Sequence, residues 1–154
     1  TNMHLYNKSR IVKFNDIYDI MDVFIKERYN LYKKRVNYQC NNYKNKIDLL
    51  NYKIRFIEEV MNNDITIFKR KKCDIIDDLV NMLYPMYNSD NIICNKVGTY
   101  DYLLKIPLIN FTLEDIAKLI KERDNIKNEY DILKSKSIKD IWIQELKNLS
   151  KNIQ

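Results

Sequence analysis

Forty-five consecutive residues, Ile17 to Met61, contain neither proline nor glycine. Within them, apolar or aromatic side chains recur at Ile17, Met21, Phe24, Tyr32, Val36, Cys40, Tyr43, Ile47, Leu50, Ile54, Ile57 and Met61. Steps of three and four dominate, which is the spacing of one face of an α-helix. Arg28 fills the one gap in the stripe. At 1.5 Å per residue such a helix is roughly 65–70 Å long, more than a compact domain of this size needs, so it is expected to project as an arm. Leu-rich a and d positions are missing, which argues against a parallel zipper. Asn15 and Asp16 offer an N-cap and a first-turn acid, and Asn62, Asn63 and Asp64 offer a stop.

A second long helix closes the chain. Thr112 precedes it as a cap with Asp115 three residues on, and Phe111 and Ile116 occupy the two positions of a hydrophobic staple. Its stripe changes phase between Leu133 and Ile138, where Ser137 and Asp140 form another S-x-x-D capping pair. A kink and a fresh start are expected there, followed by a stripe of Ile138, Trp142, Leu146, Leu149 and Ile153. The two long helices, about 45 and 40 residues, bury both stripes most simply by pairing antiparallel.

Between them lies a small knob. Ile65–Phe68 (ITIF) reads as a short β segment of period two. The basic quartet Lys69–Lys72 leads into a helix over about Cys73–Tyr84, ended by Pro85. Residues 86–99 read as a loop with Gly98 at positive φ, and Thr99 as the cap of a short helix over Tyr100–Ile106. The fold class is therefore mainly α: a long antiparallel helix pair, a coiled-coil arm, carrying a small helical knob with a short β segment. Its expected divisions are 1–16 as a lead-in of extended chain or a strand pair, 17–61 as the outgoing helix, 62–111 as the knob and 112–154 as the kinked return helix.

Composition excludes more chemistry than it suggests. One histidine, His4, supports neither a histidine-paired triad nor a histidine metal cluster, and one glycine supports no phosphate-binding loop. Cys40, Cys73 and Cys94 are widely spaced without a C-x-x-C, which suits an intracellular, reducing compartment. No run approaches the ~20 apolar residues of a membrane span. The carboxylate pairs Asp77-Asp78 and Glu114-Asp115 fall where helix surfaces and N-termini place them. No catalytic or metal-ligating residue is assigned.

Two features point to partners. Residues 1–72 hold 16 Lys/Arg against 8 Asp/Glu, whereas the rest hold 11 against 13. A basic first half suits a nearby polyanion, and equally a solvated helix face. The triplet Lys33, Lys34 and Arg35 and the quartet Lys69–Lys72 could each touch phosphate; such contacts are salt-dependent and blind to sequence. Arg28, inside an apolar stripe, is expected to form a buried ion pair, with Arg123 or an acid on the return helix as its neighbour. The second feature is apolar: Tyr100, Tyr102, Leu103, Leu104, Ile106, Leu108, Ile109 and Phe111 crowd eight large side chains into twelve residues. A knob this small has difficulty burying all of them, so they read either as the knob's own core or as an exposed apolar patch of the kind that marks an association site, here a two-fold one.

The chain resembles the type IIA DNA topoisomerases of eukaryotes and large DNA viruses, from Thr1 to about Leu149. Asp19, Arg28, Tyr32 and Arg35 are similar to the D-x8-R-x3-Y-x2-R run of the family's first coiled-coil helix. Leu50, Asn51, Arg55, Phe56, Ile57 and Glu59 match L-N-x-x-x-R-F-I-x-E. Tyr100–Glu114 resembles Y-L-L-x-M-P-L-x-x-L-T-x-E, with Ile106 for Met and Phe111 for Leu. The segment with Ser137, Asp140 and Trp142 resembles K-S-x-x-D-L-W-x-x-D-L. The loop at 86–99 is short for the family, many of whose members carry an acidic insertion there.

The resemblance implies the coiled-coil arm and exit gate, or C-gate, of an enzyme that uses ATP and Mg²⁺ to pass one duplex through a transient break in another. It implies a homodimer through the eight knob residues, double-stranded DNA as a sequence-blind partner, and no membrane. Catalytic and cofactor-binding residues would lie outside this segment. Arg28, Arg55, Phe56, Ser137, Asp140 and Trp142 would be structural. The location implied is the nucleus, or the host cytoplasm or virion for a virus. The other class open to this sequence is a non-catalytic coiled-coil arm or dimerisation module of a chromosome-organising protein.

Overall fold

The computed structural model describes residues 3–7, 9–88, 93 and 98–153. Two strands come first, β1 (His4–Asn7) and β2 (Arg10–Lys13), paired antiparallel with His4 opposite Lys13 and Asn7 opposite Arg10. Helix α1 (Ile17–Met61) follows without interruption. Then come α2 (Lys72–Asn81), α3 (Asp101–Leu104), a 3-10 turn (Leu108–Asn110), α4 (Leu113–Ser135) and α5 (Ile138–Ile153). The mainly helical class and the long first helix are as the sequence predicts.

The chain gathers into two compact units. Residues 1–39 and 136–154 form the first, and residues 40–135 the second. In the first, Asp16 caps α1: its Oδ1 accepts the Asp19 N–H at 2.8 Å, while the Asp19 carboxylate accepts the Asn15 N–H at 3.3 Å. Both bonds satisfy donors that a helix start leaves open. Ser137 does the same for α5, its Oγ accepting the Asp140 N–H at 3.1 Å and donating to Asp140 Oδ2 at 2.7 Å. The phase change in the stripe is thus a genuine end of one helix and start of another.

In the second unit the last turns of α1 are buried on two sides. Phe56 joins Ile65, Leu79, Tyr84, Tyr100 and Leu103 in one core, with Phe111 and Ile106 packed against it. Ile54 and Ile57 join Ile116 of α4 in another, closed by Leu119 and Ile120. Further back along α1, burial and then the nearby Glu129 carboxylate of α4 raise the Tyr43 phenol. Contacts that descend on α1 while ascending on α4 define an antiparallel pair. Thr112 caps α4 by accepting the Asp115 N–H at 3.2 Å, and Phe111 and Ile116 share a cluster as the staple requires.

Three local expectations fail. ITIF is not a strand: Ile65 is buried in the knob core, and the chain turns at Phe68–Lys69, with Lys69 at φ 59°. Period two alone cannot distinguish a strand from a short connection whose alternate residues face a core. Gly98 does not take positive φ; among the described residues that conformation falls to Asn63, Lys69 and Leu83. Helix α2 stops at Asn81, before Pro85 can act. Its end is a Schellman-type closure, with the Tyr84 N–H on Leu79 O at 3.0 Å and the Leu83 N–H on Val80 O at 3.0 Å. The loop expected at 86–99 lies largely outside the described residues.

Leu83 occupies the position of that closure where glycine is the common choice. It sits at φ 59° with 83% of its surface exposed, so it bears left-handed strain without packing in return. Left-handed backbone costs an L-residue about 1–2 kcal/mol. Leu83→Gly is therefore expected to raise unfolding stability by about 1 kcal/mol, measured as the midpoint shift in urea. A lower midpoint would show that the Leu83 side chain stabilises the folded chain.

Candidate functional site

The knob resolves the apolar segment Tyr100–Phe111 into an inside and an outside. Tyr100 and Leu103 are buried, at 5% and 1% exposure, as members of the core around Phe56. Tyr102, Leu104, Ile106 and Phe111 are half-buried against the same core. Only Leu108 and Ile109, on the 3-10 turn after Pro107, stand out, at 67% and 80% exposed. The knob buries more of the segment than expected because α1 and α2 supply Phe56 and Leu79 to it. Leu113, at the start of α4, adds a further exposed apolar side chain at 75%.

Hydroxyl groups and one arginine fix this core from within. Tyr100 donates to the Tyr84 carbonyl at 3.2 Å, and Tyr102 donates to the Pro85 carbonyl at 2.9 Å. Tyr84 donates to Glu59 Oε2 at 2.7 Å. Arg55 holds the other oxygen of that carboxylate at 2.7 Å, lies 4.6 Å over the Tyr84 ring and donates to the Met82 carbonyl at 3.3 Å. Arg55 thus braces the turn after α2, and Phe56 fills the core beneath it. Burial raises the phenols of Tyr84, Tyr100 and Tyr102, and pushes Tyr87 up to about 12. Such shifts keep these hydroxyls protonated at neutral pH, the opposite of what a phenolate nucleophile requires.

The basic segments divide in the same way. In the quartet, Arg70 turns back to pair with Asp78 of α2, and Lys71 precedes that helix as its N-cap residue. In the triplet on α1, Lys33 and Lys34 are exposed. Arg35 is engaged: its guanidinium pairs with Glu145 of α5 and lies 4.5 Å over the Tyr32 ring.

That ion pair belongs to a cluster in the first unit. Tyr32, 4% exposed, donates its hydroxyl to Glu145 and stacks on Trp142 with ring centroids 5.6 Å apart. Arg28 lies 5.0 Å over the same Tyr32 ring. Arg28 is exposed rather than buried, which corrects the expected buried ion pair; the acid of the return helix, Glu145, is taken by Arg35. Arg123 pairs with its neighbour Asp124 instead. Glu145 stands at the acidic position of the W-x-x-D run, three residues after Trp142, but is missed by the periodicity of the apolar stripe. The available signal was spacing: Tyr32 and Arg35 on one helix, Trp142 and Glu145 on another, each three apart and so on one face.

Arg35, then Tyr32, hold the Glu145 carboxyl below its ordinary pKa. A folded pKa below the unfolded one adds stability above the unfolded value, lost as pH falls through the folded value. Glu145→Gln is therefore expected to lower the melting temperature at neutral pH. The deficit should shrink as the wild type is acidified to about pH 3, below an unperturbed glutamate. An equal deficit at both pH values would show that charge on Glu145 is not what holds the cluster.

Among the described residues, no group of three or more His, Cys, Asp or Glu is placed to hold a metal ion, and no helix is long and apolar enough to cross a membrane. Cys40 and Cys73 are free thiols.

The fold is mainly α, with a long first helix and one small two-stranded antiparallel sheet. The family of DNA gyrase/topoisomerase IV A-type subunits matches residues 1–147, and the chain belongs to it. Acanthamoeba polyphaga mimivirus DNA topoisomerase 2 is 38% identical over 151 residues, covering 95% of this chain and 12% of that protein. DNA topoisomerase 2 of Invertebrate iridescent virus 6 is 27% identical over 150 residues, covering 97% of this chain and 12% of that protein. The chain thus spans about 12% of the length of these relatives. The DNA-binding, cleavage and re-ligation domain of Plasmodium falciparum topoisomerase II has the same fold, with a TM-score of 0.81 at 22% identity over 99% of this chain and 23% of that one.

Proposed function

We propose that this chain is the coiled-coil and exit-gate region of a type II DNA topoisomerase, an ATP- and Mg²⁺-dependent enzyme that passes one duplex through a transient break in another. Family membership supports the reading, as do relatives that are DNA topoisomerase 2 in two viruses. The chemistry of cutting and of ATP use is assigned to other parts of such an enzyme, and neither ATP nor Mg²⁺ is assigned to residues of this chain. Its own work is mechanical: to hold two copies together below the cut duplex and then let them part.

The observation that carries the gate is the pair Leu108 and Ile109. Two adjacent aliphatic side chains stand in solvent on one turn, while the other apolar side chains of the segment Tyr100–Phe111 are drawn inward. A small apolar contact on a firm base suits a joint that must open, because the base stays folded when the contact breaks. Self-association through such a patch is most economical with two-fold symmetry. Of the eight residues assigned to the interface, Leu108 and Ile109 form the contact, and Tyr100, Tyr102, Leu103, Leu104, Ile106 and Phe111 shape the support behind it.

Sedimentation equilibrium tests the joint. The chain is expected to dimerise at concentrations on the order of tens of micromolar, and Leu108→Asp with Ile109→Asp is expected to leave it monomeric with unchanged helix content. A wild-type chain that stays monomeric at those concentrations would contradict the gate.

Lys33 and Lys34 are assigned to DNA that passes along α1, with Arg35 as the residue that positions their turn through Glu145. Each phosphate contact contributes about −0.9 to the slope of log affinity against log salt for duplex DNA. Lys33→Glu with Lys34→Glu is expected to make that slope shallower by nearly two, and to weaken all duplex sequences alike. An unchanged slope would remove these two lysines from the DNA surface.

A further inference from the structure

The first unit carries an open groove of about 980 Å³ that none of the gate or DNA-facing residues explains. One wall is Met21, Phe24 and Ile25 of α1, and the other is Ile143, Leu146 and Leu149 of α5. These six side chains are all between 43% and 55% exposed, so each is offered to the groove and none is closed off. The stacked pair Tyr32 and Trp142 lies in the same lining, and the bond from Tyr32 to Glu145 fixes it in place. Apolar exposure of this extent on one concave face marks an interaction surface rather than ordinary surface composition.

Charge says what fits it. Lys26, Arg28 and Lys139 also line the groove. The one carboxylate among the lining residues, Glu145, is already neutralised by Arg35. An occupant therefore meets an apolar lining with cations among it and no unpaired acid in the lining. Its complement is an apolar face flanked by carboxylates. From Met21 to Tyr32 the α1 wall runs about 16 Å, three turns of helix at 1.5 Å per residue. Apolar anchors at i, i+3 or i+4 and i+7 cover that distance.

From these features we infer that the groove is a docking site for an acidic amphipathic helix of a protein partner. The apolar anchors supply affinity, while Lys26, Arg28 and Lys139 select acidic over basic flanks and speed encounter. The site lies wholly within the first unit and uses neither Leu108 nor Ile109, so it stands or falls apart from the gate.

Trp142 is the only tryptophan of the chain and lines the groove, so its emission reports occupancy directly. The experiment titrates the full chain with three synthetic helical peptides of equal length. One carries Leu anchors with Glu flanks, one the same anchors with Lys flanks, and one the Glu peptide with scrambled order. The Glu peptide is expected to shift Trp142 emission to the blue with saturation, and its affinity to fall as salt rises. Lys26→Glu with Lys139→Glu, two exposed substitutions that leave the Tyr32 stack in place, is expected to weaken it about tenfold, or 1.4 kcal/mol. Circular dichroism of that variant establishes that it remains folded. Equal binding of the Lys and Glu peptides, or of the scrambled one, would overturn the assignment of occupant. So would a Trp142 shift that tracks chain concentration without any peptide, because that would make a second copy the occupant. No shift with any peptide would overturn the site itself.

Discussion

Everything in the knob depends on the last turns of α1, where neighbouring residues serve different cores. Phe56 and Ile57 are each 1% exposed, yet Phe56 faces the tyrosine-rich knob and Ile57 faces α4. A helix end buried on two sides cannot fray without opening both clusters. Truncating a buried Phe typically costs about 3–5 kcal/mol, a large share of the stability of a domain this size. The knob is consequently fixed to its helix as one body, and the exposed turn at Leu108 inherits that rigidity. A joint that opens and closes requires such a mounting, because motion confined to the interface leaves the fold intact.

The same economy appears in the placement of polar groups. Tyr84, Tyr100 and Tyr102 each carry a hydroxyl into or beside the core, and each finds an oxygen: Glu59, the Tyr84 carbonyl and the Pro85 carbonyl. An unmet hydroxyl in such a place costs about 1–3 kcal/mol, so these bonds fix where the chain after α2 must pass. Arg55 extends the arrangement outward by touching Glu59, Tyr84 and the Met82 carbonyl at once. In the first unit Tyr32 plays the corresponding part, with Trp142, Glu145, Arg28 and Arg35 around one ring. Aromatic rings that carry a polar tip thus do the positioning around Tyr84 in one unit and around Tyr32 in the other.

Features that follow from periodicity and capping were legible in the sequence. The bounds of α1, the caps at Thr112 and Ser137, and the restart at Ile138 all rest on short-range rules, and the structure has them, with Asp16 rather than Asn15 capping α1. Features decided by tertiary partners were not. ITIF alternates as a strand does, yet Ile65 alternates toward a core, and among the described residues no strand pairs with the segment. Leu83 takes a left-handed turn that glycine would take more cheaply, while Gly98 does not. Arg28 looked buried because it interrupts a stripe, but a guanidinium can lie over an aromatic ring and keep its charge in water. The apolar run Tyr100–Phe111 was visible as a patch, and only packing could divide it into a supported inside and an exposed pair.

Covalent trapping of two copies at the turn tests the gate most directly. In a variant with Cys40, Cys73 and Cys94 replaced by serine or alanine, a single cysteine is placed at Leu108, at Ile109 or, as a control, at exposed Asp131 of α4. A two-fold contact brings equivalent residues near its axis together, and a disulfide requires Cα atoms within about 7 Å. Rapid cross-linking at position 108 or 109, with little at 131, is the expected result. Cross-linking at 131 as readily as at the turn, or at none of the three, would contradict an exit gate built on Leu108 and Ile109.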